Sequence, residues 1–201
     1  MLPDLPTLLT FLGAGLMLNL APGADVMFAL ASGARGGPRA GIAAALGVSL
    51  GCLFHVALTA LGVAALMAAQ SGLLDLIRWA GAGYLAWLAW RAWQADPAAR
   101  PVAQAGIRRA IRDGAVTNML NPKVALFILA FLPQFADPAR GAVAPQLLAL
   151  GGLFAVTGFF VTAAYGALGG AAATWLSARQ RLLNRVSALV FAGLALRLVL
   201  G

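Results

Sequence analysis

Asp25 and Lys123 are charged side chains that lie within otherwise strongly apolar stretches of the chain. If those stretches cross a membrane, an unpaired charge there costs at least ~2.5–3.5 kcal/mol, so we expect the two residues to pair beside a water-filled cavity. In such a cavity a carboxylate can bind a proton or an ammonium group, and a lysine can bind a carboxylate. The alternative is a permanent structural ion pair between the two side chains.

Three asparagines accompany these two charges. Asn19 lies shortly before Asp25, and Asn118 and Asn121 lie shortly before Lys123. An amide side chain both donates and accepts hydrogen bonds, so it can hold either end of a polar solute. We therefore place the three asparagines in the same candidate site.

His55 and Tyr165 lie within other apolar stretches. His55 could relay a proton, since histidine is the side chain that ordinarily changes its charge near neutral pH, or it could donate one hydrogen bond to a neighbouring helix. Tyr165 could offer a cavity-lining hydroxyl or pack as an aromatic ring. The candidate substrate-binding or proton-binding residues are Asp25, Lys123, Asn19, Asn118, Asn121, His55 and Tyr165.

The candidate helix-breaking residues are Pro22, Gly23 and Pro122. A proline removes one main-chain donor and frees a carbonyl one turn earlier. Within lipid, a freed carbonyl must find a partner or line a wet cavity. We predict that helices one and four are interrupted at these prolines, as paired interruptions are typical of transporter binding sites. A simple packing kink is the alternative.

The sequence offers no basis for a metal centre, a cofactor or a redox pair. Cys52 is the single cysteine and His55 the single histidine, whereas a zinc site needs several such ligands. No Walker A glycine-lysine loop is present. A thiol oxidoreductase would need a second cysteine within the membrane. A membrane hydrolase would need a serine–histidine or histidine–carboxylate motif, and His55 has no such motif around it. We predict no cofactor, no metal and no enzymatic activity.

The composition indicates which elements hold these residues. Of 201 residues, 62% are hydrophobic and 10% are charged, whereas a soluble domain is about 25% charged. A transmembrane helix needs about 20 residues, so the chain has room for six spans and short loops. We predict an all-α membrane protein with one transmembrane domain, residues 1–201. The predicted spans are residues 5–32, part of 40–74, 72–93, 114–135, part of 141–178 and 182–201.

The two halves of the chain resemble each other weakly. Pro22 and Pro122 occupy corresponding places, and each half has a long uncharged span followed by a short span flanked by charges. Because a unit of three spans crosses the membrane an odd number of times, a second unit enters from the opposite side and is inverted, as in many secondary transporters. We predict two inverted three-helix repeats, about 1–95 and 112–201, joined by a cytoplasmic linker at about 96–111.

The basic residues predict the orientation. Three lie on one side of the predicted membrane and ten on the other; the ten are Arg35, Arg39, Arg91, Arg100, Arg108, Arg109, Arg112, Arg179, Arg181 and Arg185. Because basic residues concentrate in cytoplasmic loops, both termini should lie outside the cytoplasm, across a bacterial inner membrane. The net charge of +8 then reflects topology rather than nucleic-acid binding. No Lys or Arg precedes Arg35, so we expect the first helix to be retained and not cleaved as a signal peptide.

Several segments resemble the LysE/RhtB family of amino-acid exporters, over nearly the whole chain. The most specific is Thr-Asn-Met-Leu-Asn-Pro-Lys at 117–123, followed by Phe-Leu-Pro-Gln-Phe at 131–135. The other matching segments are 21–25, 39–47 leading to His55, and 83–91. The sequence departs from the family at Ala24, where the family usually has a second proline, but it keeps Asp25.

This resemblance implies export of amino acids or of derivatives such as homoserine lactone, driven by the proton motive force. The expected partners are a small-molecule substrate, protons and membrane lipid, and a homodimer is compatible with the sequence. The leading hypothesis is therefore a secondary exporter. The alternatives are a passive channel for small polar metabolites, whose flux would ignore a protonophore, and a membrane thiol oxidoreductase.

Overall fold

The computed structural model describes residues 3–69 and 106–200, with single positions and pairs between them (79, 82–83, 86–87, 89–90 and 93–94). In these parts of the chain the regular structure is helical throughout, without a β-strand. The class predicted from composition is thus confirmed where it can be seen. Most of predicted span three, and the linker from 96 to 105, lie outside the described residues.

Five α-helices and two short 3-10 helices form the described structure. The α-helices are α1 (Leu5–Leu20), α2 (Ala24–Ala69), α3 (Ile107–Met119), α4 (Pro122–Phe131) and α5 (Val143–Leu200). The 3-10 helices, Leu132–Phe135 and Pro138–Arg140, connect α4 to α5.

The helix α1 has clear start and stop signals. Asp4 caps its first turn by accepting a hydrogen bond from the Thr7 amide at 3.0 Å. The helix ends because the residue before a proline is restricted to extended backbone: Ala21, next to Pro22, has φ −65° and ψ 115°. The chain resumes as α2 at Ala24, so the break between the two helices is only a few residues long.

The long helices α2 and α5 are each broken at one glycine. Gly37 has φ 78° and Gly169 has φ 47°, a region that residues with a Cβ atom rarely adopt. The break at Gly37 lies within the first predicted loop. The break at Gly169, however, precedes the predicted last loop, and Arg179 to Arg185 continue as helix. Arginine is a good helix former, so a basic cluster does not by itself end a helix.

The helices α3 and α4 are bent by 56° where Met119 meets Pro122. The first of them begins at Ile107, several residues before predicted span four. Arg109 therefore lies on a helix and not in a loop, and pairs with Asp113 one turn on, 3.4 Å away. Such pairs favour helix over loop in an arginine-rich segment.

Two helices are long and apolar enough to cross a membrane, Ala24–Val63 and Val143–Gly169. The bent pair formed by Ile107–Met119 and Pro122–Phe135 makes a third candidate if it is one span. Leu5–Leu20 is a shorter apolar helix. The described residues thus contain two or three candidate spans, whereas six are predicted for the whole chain.

Aromatic rings pack α1, α4 and α5 together. Phe11 of α1 lies edge-on to Phe135, with ring centroids 5.1 Å apart. Phe127 of α4 stacks on Phe131 at 4.8 Å and lies 5.2 Å from Phe154 of α5. All five rings are buried in one apolar cluster. This cluster fixes α5 against the broken ends of α1 and α4.

On another side, α2 and α5 approach each other backbone to backbone. A methyl group on Gly166 would lie 2.6 Å from the carbonyl oxygen of Gly41, closer than van der Waals contact allows. Small residues permit such close packing between membrane helices. The contact holds α2 at Gly41 against α5 at Gly166.

Candidate functional site

A cavity lies where the broken helix ends meet, and it encloses about 430 Å³ of space, part of it open to its mouth. All five α-helices and the α1–α2 break contribute to its wall. The lining residues are Leu18, Asn19, Ala21, Gly23, Asp25, Val26, Val48, Ser49, Cys52, Asn118, Lys123, Val124, Phe154, Ala155, Gly158 and Thr162.

Asp25 lies in the first turn of α2, and only 8% of its surface is exposed. Its Oδ2 atom accepts hydrogen bonds from the side-chain amides of Asn118, at 3.1 Å, and Asn121, at 2.8 Å. The amino end of a helix also favours a negative charge. The carboxylate is therefore held in place on one of its two oxygens.

Two acceptor atoms at this site have no hydrogen-bond partner. They are Oδ1 of Asp25 and Oδ1 of Asn118, both buried. Buried polar atoms are nearly always hydrogen-bonded, so an orphaned pair beside a cavity needs an explanation. A ligand that carries N–H or O–H donors would satisfy them.

Asn121 connects the two predicted charges. Its side-chain oxygen accepts a hydrogen bond from the Lys123 main-chain amide at 3.0 Å and so caps α4. Its side-chain nitrogen is the donor to Asp25. One buried amide thus fixes the start of α4 relative to the start of α2.

Lys123 reaches back to the carboxyl end of α1. Its Nζ atom donates to the main-chain carbonyls of Leu18, at 3.3 Å, and Ala21, at 3.0 Å. The same atom lies 5.7 Å from the ring centroid of Phe191. A lysine ammonium has three N–H groups, so these two hydrogen bonds leave one for a ligand in the cavity.

The two charges line the same cavity, but they do not form the direct pair that we expected. Among the described residues, no ion pair joins Asp25 to Lys123; amide groups hold Asp25, and main-chain carbonyls hold Lys123. The expectation considered only side chains as partners. A broken helix end also exposes main-chain carbonyls, and these carry a partial negative charge.

Asn19 lies in the cavity wall, whereas His55 and Tyr165 lie outside it. The buried Nε2 atom of His55 is 3.1 Å from the Asn118 main-chain carbonyl. Asn19 lines the cavity and donates to Thr157 Oγ1 at 3.2 Å. Tyr165 packs against Val26 in a small apolar cluster and is not among the lining residues.

The sequence analysis missed several small residues of the cavity wall. Ser49 and Cys52 line it from α2, and Gly158 and Thr162 line it from α5. Each pair is spaced three or four residues apart, which places both members on one helix face. That spacing of small and polar residues in uncharged stretches was the signal available. In the described residues no cluster of histidine, cysteine or acidic side chains could hold a metal ion.

A comparison with known protein families finds a match over most of the chain. The model of the LysE type translocator family matches residues 16–201. The chain belongs to the LysE type translocator family. The resemblance found in its sequence motifs is thereby confirmed.

Several relatives of this LysE-type chain cover most of its length. A membrane protein from Vibrio cholerae is 31% identical, over 74% of this chain and 73% of its own. The homoserine/homoserine lactone efflux protein of Salmonella typhimurium is 28% identical, over 83% and 82%. The leucine efflux protein of an Enterobacter species is 28% identical, over 94% and 93%. No solved structure matches the chain significantly.

Proposed function

We propose that this LysE-type translocator is a secondary transporter that exports amino acids or their derivatives across the bacterial inner membrane. The observation that carries the proposal is the pair of orphaned acceptors, Asp25 Oδ1 and Asn118 Oδ1, in a cavity that Lys123 also lines. Two relatives that match most of the chain are named as efflux proteins for homoserine or homoserine lactone and for leucine.

The polarity of the cavity suits a zwitterion. An α-ammonium group has three N–H donors, enough to supply one to each orphaned oxygen. The remaining N–H of Lys123 can then donate to the α-carboxylate. Apolar lining residues such as Val48 and Phe154 leave room for the substrate side chain. A homoserine lactone lacks a free carboxylate but keeps the ammonium, so it would use the Asp25 end alone.

Proton coupling follows from the same orphaned oxygen. When the ammonium leaves, Asp25 remains buried with Oδ1 lacking a donor, and a proton on that carboxylate would remove the buried charge. Ammonium and proton would therefore compete for one group. A carrier that must bind one or the other exchanges substrate for protons, which is antiport.

The proposal includes the six-span architecture. Two inverted repeats, at about 1–95 and 112–201, would place the break at Pro22 and the break at Pro122 side by side, with both termini outside the cytoplasm. The contacts between the breaks support this: the first break receives Lys123, and the second supplies the amides that hold Asp25. Paired broken helices at a binding site are typical of inverted-repeat transporters.

The test is efflux from a bacterial strain that lacks its own amino-acid exporters. Cells are loaded with labelled leucine, homoserine or homoserine lactone, and expression of this chain should raise the initial efflux rate of at least one. A protonophore should abolish export against a gradient. Efflux unchanged for all three compounds would overturn the proposal, and efflux that ignores the protonophore would indicate a passive channel.

A further inference from the structure

Each proline at a helix break leaves one carbonyl without its helical donor. Because a helical amide bonds the carbonyl four residues earlier, Pro22 deprives the Leu18 carbonyl and Pro122 deprives the Asn118 carbonyl. A buried carbonyl without a donor is costly, and most of all in a membrane. The Leu18 carbonyl therefore needs a donor from elsewhere in the molecule, and the Asn118 carbonyl, which keeps one turn hydrogen bond, can accept a second donor.

The structure provides one side chain for each of these two carbonyls. Lys123 Nζ lies 3.3 Å from the Leu18 oxygen, and His55 Nε2 lies 3.1 Å from the Asn118 oxygen. The Asn118 oxygen also accepts a turn hydrogen bond from the Asn121 amide at 2.8 Å, and a carbonyl can accept two. The same solution thus occurs at both breaks, with donors from different helices.

We propose that Lys123 and His55 are positioning residues that replace the main-chain donors removed by Pro22 and Pro122. Lys123, from α4, holds the carboxyl end of α1. His55, from α2, holds the carboxyl end of α3. Together they fix the broken helix ends that form the cavity, and neither acts through its own titration.

This assignment fixes the chemistry of His55. A carbonyl only accepts, so Nε2 of His55 must carry a proton while the contact stands. That nitrogen is then unavailable as a proton acceptor, which argues against a relay through it. His55 acts on the site through Asn118, since the main chain of Asn118 receives its hydrogen bond and the side chain of Asn118 holds Asp25.

A double-mutant cycle on thermal stability tests the two pairings without any transport assay. In purified protein, Lys123→Met should lower the melting temperature, and at least half of that loss should disappear in a Pro22→Ala background. The reason is that an alanine in place of Pro22 has a main-chain amide and no longer restricts Ala21 to extended backbone. The pair His55→Leu and Pro122→Ala should behave in the same way.

The crossed combinations are the matched control. Lys123→Met with Pro122→Ala, and His55→Leu with Pro22→Ala, should show no rescue, because each proline affects a different carbonyl. The second combination, whose two positions are not chain neighbours, should be additive. If Lys123→Met does not accumulate, recovered yield in the Pro22→Ala background replaces the melting temperature as the readout. Additive losses or no recovery in the matched pairs, or equal rescue in the crossed pairs, would overturn the proposal.

A second experiment separates positioning from proton relay, and it rests on the proposed function. His55→Gln keeps an N–H donor but cannot titrate, whereas His55→Leu has no donor. At equal amounts of folded protein, His55→Gln should export leucine or homoserine near the unsubstituted rate, and His55→Leu should be slower by roughly tenfold, as expected for a lost buried donor. If His55→Gln exports as poorly as His55→Leu, titration of His55 is required and the positioning role is wrong. A chain that exports nothing at all would refute the proposed function, while the stability cycle would still decide the pairings.

Discussion

The side-chain amide of Asn121, at the start of α4, donates to the Asp25 carboxylate at the start of α2, 2.8 Å away. In return, Lys123 on the same turn of α4 donates to the Ala21 carbonyl at 3.0 Å, just before the start of α2. Each of the two helix breaks is thus hydrogen-bonded to a polar group at the other break. Under the proposed function, a solute bound between them would contact both breaks, and its binding would favour one arrangement of the two helix ends.

Cys52 provides a native reporter of cavity occupancy. It is the single cysteine of the chain and lines the cavity. We expect leucine or homoserine to slow its reaction with a small methanethiosulfonate reagent at least twofold, because a bound solute blocks the approach. The measurement is the rate of modification in purified protein with and without the amino acid. N-acetyl-leucine, which lacks the ammonium, is the control and should not protect; equal rates with all additions would show that these amino acids do not occupy the cavity.

The close approach of α2 and α5 makes Gly166 sensitive to substitution. The Cβ atom of Gly166→Ala would lie 2.6 Å from the Gly41 carbonyl oxygen, and overpacking of this kind costs about 1–3 kcal/mol. Gly152→Ala on the same helix is the matched control, because its Cβ atom meets no atom within 4 Å. Thermal melting should show a clear loss for the first variant and none for the second. Equal melting temperatures would mean that the two backbones are farther apart.

The predicted orientation can be tested by labelling from outside the cell. In a Cys52→Ser background, Ala139→Cys should react with an impermeant maleimide in intact cells, and Gly106→Cys should react only after permeabilisation. Both positions are exposed, and the basic residues of α3 predict that Gly106 lies on the cytoplasmic side. Reaction of both positions in intact cells would refute the topology.

Asp4, which lies just before the first predicted span, should make the stability of the folded protein depend on pH. Its hydrogen bonds from Thr7, together with nearby Arg140, hold the pKa of this carboxyl below its ordinary value of 3.8. A lowered pKa stabilises the folded state above the unfolded value, and that contribution is lost as pH falls through the folded value. The melting-temperature difference between the unsubstituted protein and Asp4→Ala should be constant above about pH 5 and shrink below 3.8. A difference that grows on acidification would contradict this.

The family, the helical class and four polar residues of the cavity wall could be predicted from the sequence; the four are Asn19, Asp25, Asn118 and Lys123. Charges and amides clustered at Pro22 and Pro122 are visible in any reading of the chain, and they meet at one cavity. The partners of Lys123 could not be predicted, since they are main-chain carbonyls whose positions exist only once α1 has ended.

Two other features could not be decided from the sequence for the same physical reason. The break in α5 occurs at Gly169, through a backbone angle that the sequence does not display, and not at the basic cluster near Arg179. Tyr165 and Thr162 both lie on α5, but Thr162 lines the cavity while Tyr165 packs against α2. Which face of a uniformly apolar helix meets the cavity depends on tertiary packing, and periodicity cannot indicate it.

The most direct test of the central claim is efflux from liposomes that contain only the purified protein. Liposomes loaded with labelled leucine or homoserine receive either the unsubstituted protein or Asp25→Asn, which keeps an acceptor oxygen but loses the charge. Asp113→Asn, on the outer face of α3, controls for loss of a carboxylate elsewhere. We predict efflux well above that of protein-free liposomes, faster with an inward proton gradient, for the unsubstituted protein and Asp113→Asn. Gradient-driven efflux that is unchanged in Asp25→Asn would contradict the role of Asp25, and efflux no faster than from protein-free liposomes would contradict the export of these amino acids.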